Sequence, residues 1–329
     1  MGSPGVGIVG LGAAVPERVV SNRELERMVD TSDQWIVERT GIRCRHLAGP
    51  GETASSLALR ASREALEAAG TDPGEIDLVM VATITPDRPF PATACLLQQE
   101  LGARRAAAFD LQAACSGFIY GLSVAREFVA RGTYRRVLVV GVDILSRIVD
   151  WRDRSTCVLM GDGAGAAVVA PVPEGYGFLG LHLGANGEGA PLLFLPAGGS
   201  LHPPTLGTVA SGMHHLRMNG REVFRFAVRV MGDAASRALE AAGLGFSDVD
   251  LYVPHQANYR IIEASARLFG IPMDKVMVNI DRYGNTSAAS VPLALYEAEK
   301  EGRIERGKVV LAVAFGAGLT WGAVVLRWY

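Results

Sequence analysis

Short apolar runs alternate along the chain with longer stretches of helical character. Residues 106–111, 137–140, 249–253 and 309–313 read as strands, mostly apolar and bounded by turn-forming or charged residues. Two stretches, SGFIYGLSVAREFVARG after Cys115 and SAASVPLALYEAEK after Thr286, read as helices that are apolar on nearly every face. Helices of that kind are buried on all sides. Pro292, in the second, requires that the helix begin within a turn of it. The span Val309–Leu326 carries no charge over 18 residues, long enough to raise a membrane-crossing helix. Gly316, Gly318 and Gly322 interrupt it, so it reads instead as two core strands, VVLAVAF and WGAVVLRW, about a GAGLT turn.

The pattern occurs twice. ALEAAG stands at residues 65–70 and again at 238–243, an offset of 173, and Ile76-Asp77-Leu78 returns as Val249-Asp250-Leu251 at the same offset. GIVGLGA at 7–13 echoes GFLGLHLGA at 177–185, VLVV at 137–140 is matched by VVLAV at 309–313, and GAGAAVV at 163–169 by the glycine-rich segment from 316. Five matches in one order imply duplication, with the join near Pro171–Tyr176 and halves of 1–172 and 173–329. Each half reads as strand, helix, strand, helix, strand and a closing hairpin. That alternation predicts an α/β fold with mixed sheets, and the two buried helices predict a central pair sandwiched between them.

Composition narrows the class. The chain has 329 residues, 49% hydrophobic and 20% charged, which excludes disorder and allows a large core. Thirty-two basic against 34 acidic side chains give a net charge of −2, so no global charge favours nucleic acid or an anionic membrane. Cys44, Cys95, Cys115 and Cys157 form no C-x-x-C pair, so neither a metal site nor a disulfide framework is expected. The N-terminal MGSPGVGIVG has no basic start, so no secretory leader is expected. A reducing, cytoplasmic setting fits.

Three residues carry the candidate chemistry. Cys115, in DLQAACSGF, lies between a predicted strand and the N-terminus of a buried helix. A helix end contributes up to about 2 kcal/mol toward a thiolate, enough to lower a thiol from about 8.5 by roughly 1.5 pH units. Cys44, Cys95 and Cys157 lack that context and read as buried structural cysteines. His255 follows the strand 249–253 and falls on Ala82 in the repeat. Asn285, in DRYGNTSAAS, precedes the second buried helix, and an offset of 171 puts it one residue from the cysteine's slot. Strand ends of such sheets gather ligand-binding groups. A core histidine and a turn asparagine are the ordinary readings of these two residues alone; their convergence with Cys115 favours catalysis. The other histidines, His46, His182, His202, His214 and His215, have no such context. The clusters Gly10-x-Gly12, Gly163-x-Gly165 and Gly316-x-Gly318 each lack the third glycine of a dinucleotide fingerprint. The last suits close backbone approach to a developing oxyanion.

ACSGF around Cys115, VPHQAN around His255, GNTSAAS around Asn285 and FGAGLTWG at 315–322 resemble β-ketoacyl-acyl-carrier-protein synthase III, and the likeness runs from VDTSDQWIVERTGI to the last hairpin. The resemblance implies a duplicated thiolase-like fold with five layers, α-β-α-β-α. It implies a cytoplasmic homodimer that initiates fatty acid synthesis. Cys115 would take the acyl group of a short acyl-CoA, and malonyl-acyl-carrier-protein would then lose CO2 and attack it, with His255 and Asn285 as donors. The backbone N–H groups of Cys115 and Ala317 would form the oxyanion hole. Trp35, Arg39, Arg154, Phe224 and Asn258 would contact coenzyme A, with the adenine between Trp35 and Arg154. Arg225 and Arg260 would receive the carrier protein, and Phe90 would close the partner subunit's acyl pocket. Ser155 stands where some relatives have glycine. The CoA thioester enters as substrate, and no cofactor, metal, nucleic acid or membrane is implied. Elongating condensing enzymes use two histidines, against which Asn285 argues. A papain-like protease shares the order Cys, His, Asn but not the C-G-x-C-W context. A secondary-metabolism acyltransferase or starter-unit ketosynthase is the alternative.

Overall fold

The computed structural model describes residues 5–329; residues 1–4, the start of the segment that reads as lacking a leader, lie outside it. Nine strands and six helices organise the chain around the site. In the first half these are β1 (Gly5–Ala14), α1 (Ala54–Ala68), β2 (Leu78–Ala82), α2 (Thr93–Leu101), β3 (Ala107–Leu111), α3 (Gly117–Ala130), β4 (Val137–Ile144) and β5 (Asp162–Val172). In the second they are β6 (Gly177–Ala185), α4 (Gly220–Ala242), β7 (Leu251–Pro254), α5 (Tyr259–Phe269), α6 (Ser290–Lys300), β8 (Val309–Gly316) and β9 (Thr320–Arg327).

The first sheet runs β1-β5-β4-β2-β3, with β2 parallel to both β4 and β3 and the β1-β5-β4 edge antiparallel. The second runs β7-β8-β9-β6, with β7 and β8 parallel and the rest antiparallel. The same plan is visible in both, except that the strand equivalent to β3 is reduced to a single bridge between Tyr252 and Val276.

Strand alternation sorts the core into layers. From β4, Leu138 and Val140 face outward onto α1 and α2, where Leu57, Ala61 and Leu97 meet them. Val137 and Val139 face inward, onto Phe118 and Leu122 of α3. The second sheet repeats the scheme: Leu311 and Val313 pack under α4 and α5, while Val310 and Ala312 face the centre. There α3 and α6 lie between the sheets, and Phe118, Ile119, Val291 and Leu295 are all buried within one cluster. This is the five-layered arrangement, and it explains two helices with no polar face. Pro292 is the third residue of α6, where its missing N–H has no intrahelical partner to lose.

The repeated ALEAAG has a steric cause. A Cβ at Gly10 would lie 2.4 Å from the Ala65 carbonyl oxygen, and one at Gly180 would lie 2.1 Å from that of Ala238. In each half a small-residue helix rests on a glycine of the sheet. Val309–Leu326 forms β8 and most of β9, and among the described residues no helix is long and apolar enough to cross a membrane.

Candidate active site

A cavity of about 980 Å³ opens where the two halves meet, and Cys115, His255, Asn285, Gly316 and Ala317 all line it. The chain reaches it through two copies of one turn. After β3, Ala114 takes a left-handed conformation (φ 47°) and starts a short 3₁₀ turn, Ala114–Ser116, that feeds α3. Before α6, Ser287 does the same (φ 51°) and starts the turn Ser287–Ala289. These two residues are offset by 173, so the counterpart of Cys115 is Ala288, and Asn285 matches Gln112. This corrects the offset of 171, which put Asn285 one residue from the cysteine's slot; the shared left-handed residue sets the register.

The turns are tied across the halves. The Ser116 hydroxyl donates to Thr320 Oγ1 at 2.9 Å, and Thr320 Oγ1 lies 2.9 Å from the Ala113 carbonyl. Gly316 lets the β8–β9 hairpin close on Cys115, since a Cβ there would lie 2.6 Å from the Cys115 nitrogen. Asp143, buried at the end of β4, accepts from Thr83 Oγ1, the Ile84 and Thr85 N–H groups and Thr85 Oγ1 at 2.8–3.2 Å, and its other oxygen accepts from the Ala288 N–H at 3.2 Å. It joins a loop of the first half to the turn of the second. Sequence reading passed over it, although one acid inside VLVVGVDIL was a signal.

Asn285 is fixed by three bonds. Its N–H donates to the Leu159 carbonyl at 2.8 Å, and its carbonyl accepts from the Gly161 N–H at 2.9 Å. Its side-chain Oδ1 accepts from the Ser287 N–H at 2.9 Å, which assigns the amide orientation and leaves the NH2 as the free end. His255 is buried, its ring edge-on to Phe315 with centroids 5.4 Å apart. Burial takes the imidazole down to about 3, so it is neutral at physiological pH.

Cys115 departs from the expected titration. Burial pushes the thiol up to about 12, and the Asp143 carboxylate adds to that while the Ser287 hydroxyl opposes it. The helix end, worth roughly 1.5 pH units, is outweighed by desolvation. Cys115 therefore rests as a thiol, half-buried in the cavity wall.

The family models for 3-oxoacyl-[acyl-carrier-protein (ACP)] synthase III and for its C-terminal part match residues 109–187 and 239–328. The chain is 58% identical to β-ketoacyl-[acyl-carrier-protein] synthase III of Symbiobacterium thermophilum and 57% identical to that of Desulfitobacterium hafniense, each over 98% of both chains. It belongs to the 3-oxoacyl-[acyl-carrier-protein] synthase III family. The crystal structure of the synthase from Thermus thermophilus superposes with a TM-score of 0.92 at 51% identity, covering 98% of this chain and 99% of that one. The chain is thus an acyl-transferring condensing enzyme with the thiolase-like fold.

Around this synthase cavity the remaining expected residues are distributed unevenly. Trp35, Arg39, Arg154, Phe224, Asn258 and Arg260 all line it. The Arg154 guanidinium lies 4.9 Å from the Trp35 ring centroid and bonds the Asp30 carbonyl at 2.7 Å. It rests directly on the indole, so an adenine between them requires the arginine to lift. Asn258 caps α5 through the Arg260 N–H at 2.9 Å and donates to the Arg39 carbonyl at 3.1 Å, leaving one amide hydrogen for a ligand. Arg225 stands apart from Arg260, in a separate cleft of about 380 Å³ and paired with Glu222 at 3.1 Å. Phe90 is 84% exposed and outside the cavity. Cys157 is buried and Cys44 half-buried, but Cys95 is exposed, because it lies over β3, the exposed edge of the first sheet, with its sulfur 3.9 Å from the Ala108 carbonyl. Among the described residues no group of histidines, cysteines and acids could hold a metal ion.

Proposed function

We propose that Cys115, His255 and Asn285 divide the two half-reactions of an initiating fatty acid condensation between them. In the first, the Cys115 sulfur attacks the carbonyl of a short acyl-CoA; the C–S bond to CoA breaks, and the thiol proton ends on the departing CoA sulfur. The N–H groups of Cys115 and Ala317 stabilise the tetrahedral oxyanion. In the second, malonyl-acyl-carrier-protein loses CO2, and its enolate attacks the acyl-cysteine. The C–S bond to Cys115 breaks, the sulfur leaves as a thiolate and takes a proton from water, and the product is a 3-oxoacyl-carrier-protein. No proton leaves carbon in this step, so the site needs donors for the enolate oxygen rather than a base.

The observation that carries the reading is that two uncharged groups able to donate hydrogen bonds, His255 and Asn285, line the same cavity as Cys115. Asn285 has its oxygen occupied by Ser287 and its NH2 free, and His255 is held uncharged by burial. A neutral pair neither protonates the enolate nor traps the malonyl carboxylate as a salt. Trp35, Arg39, Arg154, Phe224 and Asn258 hold the CoA arm, Arg260 and Arg225 meet the acidic carrier protein, and the exposed Phe90 seals the acyl pocket of a second copy. The acyl-CoA thioester is consumed as substrate and CoA leaves as product, and the scheme uses no cofactor.

Asn285→Ala tests the division. Acyl transfer from CoA to Cys115, followed by single-turnover mass spectrometry, stays within threefold of wild type. Condensation falls by about 10²–10³, the loss of one donor of about 3 kcal/mol. Failure of the variant to form acyl-enzyme refutes the assignment.

A further inference from the structure

We infer that Ser290 is a positioning residue that holds His255 as the tautomer carrying its proton on Nε2, the nitrogen turned to the substrate. Ser290 is the first residue of α6 and is 1% exposed. Its Oγ lies 2.5 Å from His255 Nδ1 and accepts the Gln256 N–H at 3.4 Å. A serine in a helix ordinarily gives its hydroxyl proton to the carbonyl one turn back, as Ser123 of α3 does to Ile119 at 2.9 Å. Ser290 makes no such bond among the described residues, and its contacts are a donor, Gln256 N–H, and the ring nitrogen. The hydroxyl proton therefore goes to Nδ1. A neutral imidazole with Nδ1 as acceptor bears its hydrogen on Nε2.

The duplication supplies an independent argument. The offset of 173 maps His255 onto Ala82 and Ser290 onto Gly117, and a Cβ at Gly117 would lie 2.9 Å from that of Ala82. The same contact of strand end and helix start exists in both halves. In the half that carries the nucleophile it leaves no room for side chains. In the half that supplies the donors it is a histidine hydrogen-bonded to a serine.

The inference rests on the role given above to His255, and its test separates the two. In the full-length protein labelled with 15N-histidine, Nδ1 of His255 resonates as a bare, pyridine-type nitrogen and Nε2 as a protonated one. Ser290→Ala lowers the condensation kcat by roughly 10–100-fold, the usual cost of removing the partner that orients a reactive side chain. Acyl-enzyme formation changes by less than about threefold, since only the enolate step draws on this donor. Ser290→Thr, which keeps the hydroxyl, restores the rate and the nitrogen pattern. A proton on Nδ1 in the wild type overturns the inference, as does normal condensation by Ser290→Ala alongside a defective His255→Ala. Normal condensation by His255→Ala refutes the donor reading itself. The spectrum of the wild type decides the tautomer even where Ser290→Ala fails to fold.

Discussion

Replacing Gly316 by alanine puts a methyl group where the hairpin of the second half meets the nucleophile turn of the first. The new Cβ would lie 2.6 Å from the Cys115 nitrogen, 3.1 Å from the Ala114 Cβ and 3.2 Å from the Ser116 nitrogen. Relief to an ordinary contact at 3.4 Å needs a shift of about 0.8 Å along the first of these. Neither side yields readily. Gly316 is paired with Thr320 in the β8–β9 ladder, and the Ser116–Thr320 hydroxyl bond ties that hairpin to the turn. The displaced atom is the Cys115 N–H, one of the two proposed oxyanion donors. A misplacement near 1 Å costs about 10²-fold in rate, or about 2.7 kcal/mol of transition-state stabilisation. Both half-reactions pass through a tetrahedral oxyanion on Cys115, so both slow together, unlike the selective loss expected of Asn285→Ala. Rapid-quench mass spectrometry of acyl-enzyme and continuous measurement of carrier-protein condensation read the two steps separately. A thermal melt checks that the protein is folded. Both rates within threefold of wild type, in a folded protein, would refute the reasoning.

Two further outcomes follow from the site. His255 is neutral in the fold at about 3 but titrates near 6.5 once unfolded, so protonation of the unfolded chain removes stability as pH falls from about 6.5 toward 3. Unfolding free energies of wild type relative to His255→Gln, from urea titrations, should fall over that interval by about 1 kcal/mol per pH unit; a constant difference would show that the histidine is not held neutral. Arg154→Ala removes the cation over Trp35 while leaving the chemistry intact, so the KM for acyl-CoA rises by roughly 3–10-fold at unchanged kcat. Steady-state kinetics check this, and a fall in kcat at constant KM would count against it.

Much of the architecture was readable in the chain because its physics is local. Two helices without a polar face can only lie between apolar layers, and ALEAAG recurs because a glycine strand beneath it demands small residues. That Cys115, His255 and Asn285 would come together was readable through their flanking motifs, and they line one cavity. Three features were not. The register of the duplicated turn is set by left-handed Ala114 and Ser287, residue types that give no sign of that conformation. The titration of Cys115 depends on burial by both halves, so a helix end considered alone gave the wrong direction. The links of Ser290 to His255 and of Asp143 to Ala288 span 35 and 145 residues, and no periodicity in the chain reports such a bond.

The twin turns have a consequence for how this enzyme divides its labour. Each half kept the same bend, but only one kept sulfur at its tip; the other carries Ala288 there, and placed its contribution three residues earlier, at Asn285. In the proposed scheme the attacking sulfur comes from one copy, the oxyanion N–H groups from both, and the enolate donors from the other, so neither copy holds a complete reaction. On that scheme joining the copies is part of the catalytic design, and a change at the seam between the sandwiched helices should act on chemistry as directly as a change beside the thiol.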